Sequence, residues 1–126
     1  MHVEQLTRQV SVSGQITVED VKVFLDQGVE LLVCNRPDGE DDGQTEYQLI
    51  EAEAKRVGLP FKLLAFSSYQ IKPENRDEFI SLIESRKRIH CYCRSGARSK
   101  RLWREANFIV GGEAEYDAKC SGEIKP

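Results

Sequence analysis

The chain has 126 residues, enough for one domain with a single core over residues 1–126. Its 40% hydrophobic and 31% charged residues are the balance of a globular domain that folds in water. A net charge of −3 argues against a general binder of nucleic acid or acidic membranes, so any anion site must be local.

In chain order, Met1-His2-Val3-Glu4-Gln5 lacks signal-peptide character, and no later apolar run is long enough to span a bilayer. Arg8 to Gly14 alternates loosely and ends in Ser13-Gly14, a strand followed by a turn. Thr17-Val18-Glu19-Asp20 is a helix start, with acid at the third helical position. Val18, Val21, Phe24 and Leu25 then recur at helical spacing until Gly28. Glu30 to Asn35 is a short apolar run of the kind covered on both faces of a sheet. Arg36-Pro37-Asp38-Gly39-Glu40-Asp41-Asp42-Gly43-Gln44 is a loop full of breakers. A helix over Thr45 to Val57 should bury Tyr47, Ile50 and Ala54, and a third strand should run from Phe61 to Phe66. After a loop from Ser67 to Lys72, Pro73 suits the first turn of a helix carrying Phe79, Leu82 and Ile83 inward. Arg88 to Tyr92 is the fourth strand. A helix over Ala97 to Asn107 buries Leu102, Trp103 and Ala106. The tail 108–126 is weakly patterned, with one short helix expected near Ala114 to Lys119.

Strands alternating with helices of ten or more residues imply a three-layer α/β fold. Its mostly parallel sheet of four or five strands has helices on both faces. Ligands in such sheets bind beyond the carboxyl ends of the strands. That places the loops after Cys34, Phe66 and Tyr92 on one rim.

The chemistry concentrates in Arg88-Ile89-His90-Cys91-Tyr92-Cys93-Arg94-Ser95-Gly96-Ala97-Arg98-Ser99. A cysteine at the end of a strand, a glycine three residues on and an arginine at the far edge of the loop are parts of an anion cradle. Loop N–H groups and a helix N-terminus favour negative charge there, and the same environment lowers a thiol's pKa. Cys93 is thus the candidate nucleophile and Arg98 its catalytic partner, with Arg94, Ser95, Gly96, Ala97 and Ser99 binding substrate. Lys100, Arg101 and Arg104 extend the local basic cluster. Asn35, Arg36 and Asp38 are candidate rim residues, although Arg36 could equally pair with the acidic loop and Asp38 could simply serve the turn before Gly39. Gln15 and Asn35 are expected to fix rim loops by hydrogen bonds. Cys34, Cys91 and Cys120 do not form a disulfide framework with Cys93. Cys91 is close enough in sequence for a resolving role. The histidines, His2 and His90, are too few for a zinc site, and no metal or cofactor is expected. This is a reduced, cytoplasmic chain.

Loop length separates two chemistries. Cysteine-dependent phosphatases place the arginine one residue further on, whereas Cys93-Arg94-Ser95-Gly96-Ala97-Arg98 matches the shorter loop of rhodanese-type sulfurtransferases. His90-Cys91 echoes the His-Cys pair of phosphatase loops but stands two residues too early. The loop Ser67 to Lys72 contains no Asp or Glu to act as a general acid.

Ser11-Val12-Ser13-Gly14-Gln15-Ile16, Asn35-Arg36-Pro37-Asp38-Gly39-Glu40 and Cys93 to Ser99, with Leu102-Trp103 behind it, resemble the phosphatase-like domain of the bacterial beta-lactamase-hydrolase-like proteins. The resemblance runs from about Val10 to Asn107. It implies a dual-specificity-phosphatase-like fold carrying a rhodanese-like loop. Some members were labelled phosphatases from the fold, while others act in sulfide detoxification, often fused or linked to a persulfide dioxygenase. The resemblance and the loop together lead to a sulfurtransferase that uses a small anionic sulfur donor, a thiol acceptor and a Cys93 persulfide. A phosphoester hydrolase and a non-catalytic anion-binding module are the alternatives.

Overall fold

Apolar runs such as 31–34 and 89–92 need cover on both faces, and the fold supplies it. The structure, a computed structural model, describes residues 2–67, 70–112 and 114. Its elements are β1 (Val3–Gln5), β2 (Val10–Ser13), α1 (Val18–Asp26), β3 (Leu31–Cys34), α2 (Tyr47–Val57), β4 (Phe61–Leu63), α3 (Pro73–Glu84), β5 (Ile89–Tyr92) and α4 (Ala97–Val110). The strands form one sheet in the order β1-β2-β5-β3-β4. β2, β5, β3 and β4 run parallel and β1 pairs antiparallel at the edge. The three-layer, mostly parallel sandwich read from the sequence is the fold observed.

Strand alternation sorts the core into two clusters. Val12, Val33 and Cys91 point to one face and pack with Phe79 of α3 and Leu102, Trp103 and Ala106 of α4. Leu32, Cys34 and Tyr92 point to the other and pack with Val21 and Phe24 of α1 and Ile50 and Ala54 of α2. Each large apolar side chain so buried contributes ~1.5–3 kcal/mol. At the start of α1 the Asp20 carboxylate accepts the Thr17 N–H at 2.8 Å, and Pro73 opens α3 as expected. Among the described residues, no helix is long and apolar enough to cross a membrane.

Some boundaries differ from the sequence reading. β1 was not anticipated, because three polar-flanked residues carry no usable period; its pairing with β2 also explains why β2, covered on both edges and both faces, alternates only loosely. β4 leaves the ladder at Leu63, yet Leu64 and Phe66 stay buried and still donate to the carbonyls of Cys34 and Asn35. α4 runs three residues past Asn107 and ends where Gly111 turns left-handed at φ 63°. The short helix expected near Ala114 to Lys119 lies, beyond Ala114, outside the described residues, as does Cys120.

β5 lies between β2 and β3. Cys93 therefore leaves the carboxyl end of a central strand, with the ends of β2 and β3 on either side.

Candidate active site

The Cys93 loop is fastened to its neighbours by backbone. The Cys93 N–H donates to Ser13 C=O at 3.2 Å and the Gln15 N–H to Arg94 C=O at 3.4 Å. A Cβ on Gly14 would stand 2.9 Å from that Arg94 oxygen, so only glycine permits the approach. Gly96 takes φ 97°, a left-handed turn that aims its N–H at Cys93 Sγ, 3.1 Å away. α4 then begins at Ala97.

Burial pushes the Cys93 thiol pKa up, but the Ser99 hydroxyl and the N–H groups of Ser99, Ser95 and Gly96 outweigh it and hold the pKa below the usual thiol value. The Ser99 hydroxyl also lies 2.8 Å from Asn35 Oδ1. Its one proton serves one acceptor at a time. Beside a neutral thiol it donates to Asn35; beside a thiolate the charged sulfur is the stronger acceptor. Asn35 is held in turn by Nδ2 donating to Leu64 C=O at 2.9 Å. Cys34 and Cys91, by contrast, are pushed up by burial. Cys91 faces the opposite core cluster from Cys34, packed among apolar side chains, which removes the basis for a resolving role.

His90 is fully buried, stacked on Phe24 with centroids 4.0 Å apart. Ser13 Oγ donates to Gly14 C=O, so it accepts from Nε2–H of His90 at 2.8 Å, leaving Nδ1 to accept from Ser11 Oγ at 2.7 Å. Desolvation lowers the imidazole pKa to about 3, so the ring is neutral and ties β2 to β5 directly beneath the cysteine loop.

A cavity of about 360 Å³ opens over Cys93, lined by Glu40, Arg94, Ser95, Ala97, Arg98 and Arg101. Arg98 is buried. Its Nη1 and Nη2 donate to the two oxygens of Glu40 at 3.0 and 3.1 Å, and Nη1 also donates to Phe66 C=O. Its Nε is buried without a partner. Arg36, also buried, reaches the same carboxylate through Nε at 3.0 Å, Asp41 through Nη2 at 2.7 Å and Gln15 Oε1 through Nη1 at 3.0 Å. The exposed Arg94 pairs with Asp41 at 3.1 Å. Partial burial raises the Glu40 pKa, but hydrogen bonds from Arg98 and then Arg36 overcome it, so the carboxyl sits below its ordinary value and is ionised at neutral pH.

The structure thus brings Cys93, Arg94, Ser95, Ala97 and Arg98 to one cavity, with Gly96 and Ser99 at the sulfur and Asn35 behind Ser99. Arg36 supports the acidic loop rather than facing the cavity. Asp38 does not line the cavity: its Oδ1 accepts the Tyr47 N–H at 2.9 Å at the start of α2, a longer-range role than the turn before Gly39 expected as its alternative. The residue the sequence reading passed over is Glu40. In the sequence it is one of four acids in the loop 36–44, and only the burial of Arg36 and Arg98, guanidiniums that require a counter-charge, singles it out. Among the described residues no group of three His, Cys, Asp or Glu side chains is arranged to hold a metal ion.

The chain matches the family described as beta-lactamase hydrolase-like protein, phosphatase-like domain, over residues 2–108. The beta-lactamase hydrolase-like proteins of two Xylella fastidiosa strains, 9a5c and Temecula1, are each 25% identical over 125 residues, covering 97% of this chain and 28% of theirs. This chain therefore spans little more than a quarter of the length of those relatives. Among solved structures, a candidate phosphatase from Neisseria meningitidis is 25% identical with a TM-score of 0.78, covering 90% of this chain and 81% of its own. A candidate phosphatase from Shewanella putrefaciens gives 16% and 0.74, over 93% of this chain and 73% of its own. The core catalytic domain of the S. cerevisiae PP-IP phosphatase Siw14 gives 12% and 0.57, over 98% and 85%. The last two are likenesses of fold alone. Motif, fold and family match agree: the chain belongs to the beta-lactamase hydrolase-like protein family, as its phosphatase-like domain.

Proposed function

We propose that this domain is a cysteine-dependent sulfurtransferase. The observation that carries the reading is the ionised Glu40. It is the one acid among the described residues lining the Cys93 cavity, and its bonds to Arg98 and Arg36 keep it from serving as a proton donor. Cleaving an alkyl phosphoester calls for such a donor, worth ~10²–10⁴-fold in rate. Sulfur transfer does not, because its leaving groups depart as stable anions. The Cys93 thiolate attacks the outer sulfur of thiosulfate; the S–S bond breaks, sulfite leaves with the electron pair, and Cys93 holds the sulfur as a persulfide. With a persulfide donor the leaving group is a thiolate. An acceptor thiolate then attacks the outer sulfur of the Cys93 persulfide and regenerates the Cys93 thiolate. Loop N–H groups steady the charge on sulfur, and the Arg98 side chain lines the cavity beside them. The short loop from Cys93 to Arg98 supports the same reading. The family resemblance suggests a persulfide-oxidising partner, fused or separate, as the consumer of the product.

The second reading is hydrolysis of phosphate esters through a Cys93 phosphocysteine. The comparisons favour it: the family is described as phosphatase-like, and the solved structures matched are described as phosphatases or candidates. One experiment separates the two. Incubation with thiosulfate or a low-molecular-weight persulfide should add the mass of one sulfur, roughly 32 Da, to wild type and not to Cys93→Ser. Turnover of an aryl phosphate with no sulfur adduct would replace sulfur transfer by hydrolysis. Anion binding with neither activity would leave a binding module.

A further inference from the structure

Four arginines gather around the acidic loop and the cysteine cavity, and three are already engaged. Arg36 and Arg98 are bonded to Glu40, and Arg36 and Arg94 to Asp41. Arg101 is different. It stands on α4 three residues after Arg98, on the same helix face, and lines the same cavity. It is exposed and has no acidic partner among the described residues. Glu40 occupies both Nη groups of Arg98, so these offer no uncommitted positive charge to the distant part of a substrate. A single negative charge held away from the reacting sulfur meets no such competitor, since Arg101 is a long, free cation at the mouth.

We propose that Arg101 is a specificity-determining residue that selects sulfur carriers bearing a carboxylate, small anionic thiols and their persulfides, by pairing with that carboxylate while the sulfur lies over Cys93. The proposal rests on Cys93 as the reacting group of the sulfur-transfer reading. Neutral thiols of similar size and reactivity would lack the anchor. Arg94 is a weaker candidate because its guanidinium already serves Asp41.

The test uses the intact protein and two alkylating reagents of similar size, iodoacetate, which carries a carboxylate, and neutral iodoacetamide. Modification of Cys93 is followed by peptide mass, and the rate ratio of the two reagents is normalised to free glutathione. In Arg101→Gln this ratio should fall about two- to fivefold, the scale of a partly exposed charge pair. Arg101→Lys should restore most of it, and 0.5 M salt should erase the difference. Lys87→Gln, the same loss of charge at the amino end of β5, controls for net charge. An unchanged ratio in Arg101→Gln, or an equal fall in Lys87→Gln, overturns the proposal. The sulfur adduct on Cys93 from thiosulfate or a low-molecular-weight persulfide is scored separately: its absence with both donors sinks sulfur transfer, while the alkylation ratio still decides the role of Arg101.

Discussion

Glu40→Gln is the substitution that most directly probes the site. The carboxylate accepts three charge-assisted bonds, two from Arg98 and one from Arg36, at 3.0 to 3.1 Å. Glutamine keeps one acceptor oxygen, loses the charge, and turns an NH₂ toward guanidinium N–H groups. Arg36 retains Asp41 and Gln15, whereas Arg98 retains the Phe66 carbonyl. Charge-assisted bonds are worth ~1.5–3 kcal/mol each. Breaking a fully buried pair costs ~3–5 kcal/mol, but the Glu40 side chain is 24% exposed and water replaces part of what is lost. The expected loss is about 2 kcal/mol, a fall in Tm of roughly 6–10 °C for a domain of this size. The freed Arg98 should at the same time bind inorganic phosphate about tenfold more tightly, near 1.4 kcal/mol. Thermal melts across a phosphate titration read both effects. The acid limb gives an independent check. Because the Glu40 pKa is lowered on folding, its contribution is present above the unfolded value near ~4.3 and is lost as pH falls through the folded one; the variant should lack that loss. A Tm within about 2 °C of wild type, with unchanged phosphate affinity, would refute the assignment of Glu40 as the counter-ion that holds Arg98.

Two further outcomes follow from the hydrogen bonds beneath the loop. Ser99→Ala removes the hydroxyl that stabilises the Cys93 thiolate, so the pH midpoint of iodoacetamide labelling should rise by about one unit, or ~1.4 kcal/mol; an unchanged midpoint would show that the backbone N–H groups alone set it. His90, neutral in the fold down to about pH 3, takes up a proton in the unfolded chain below ~6.5. Stability should therefore decline as pH drops from ~6.5 toward 3, at up to ~1.4 kcal/mol per pH unit from this group. His90→Gln should flatten the pH 6 to 4 slope of the urea-unfolding free energy by about one proton, and an identical slope would place the uptake elsewhere.

The layered fold was legible because it depends on local signals. The run at 31–34 is short and uniformly apolar, and 89–92 is short and broken only by His90, lengths that suit strands covered on both faces rather than helices. The 3.6-residue period of Val18, Val21, Phe24 and Leu25, with Asp20 at its start and Gly28 at its end, specifies α1 without help from elsewhere. Cys93, Gly96 and Arg98 were legible for the same reason. The cradle is made by consecutive residues, and the left-handed turn it needs is written as a glycine. The partners of that cradle are not local. Glu40 meets Arg98 across 58 residues of chain. In the sequence Asp38, Glu40, Asp41 and Asp42 are equivalent acids in one flexible stretch; only the path of the loop turns Asp38 to the start of α2 and Glu40 toward the cysteine. The same holds for β1, whose three residues become a strand only because β2 presents a free edge. Composition supplied the excess of acid and the basic helix after the loop. Tertiary structure decided which charges cancel, because pairing depends on distances of about 3 Å that no spacing along the chain encodes, and it left Arg101 as the cation facing the cavity mouth.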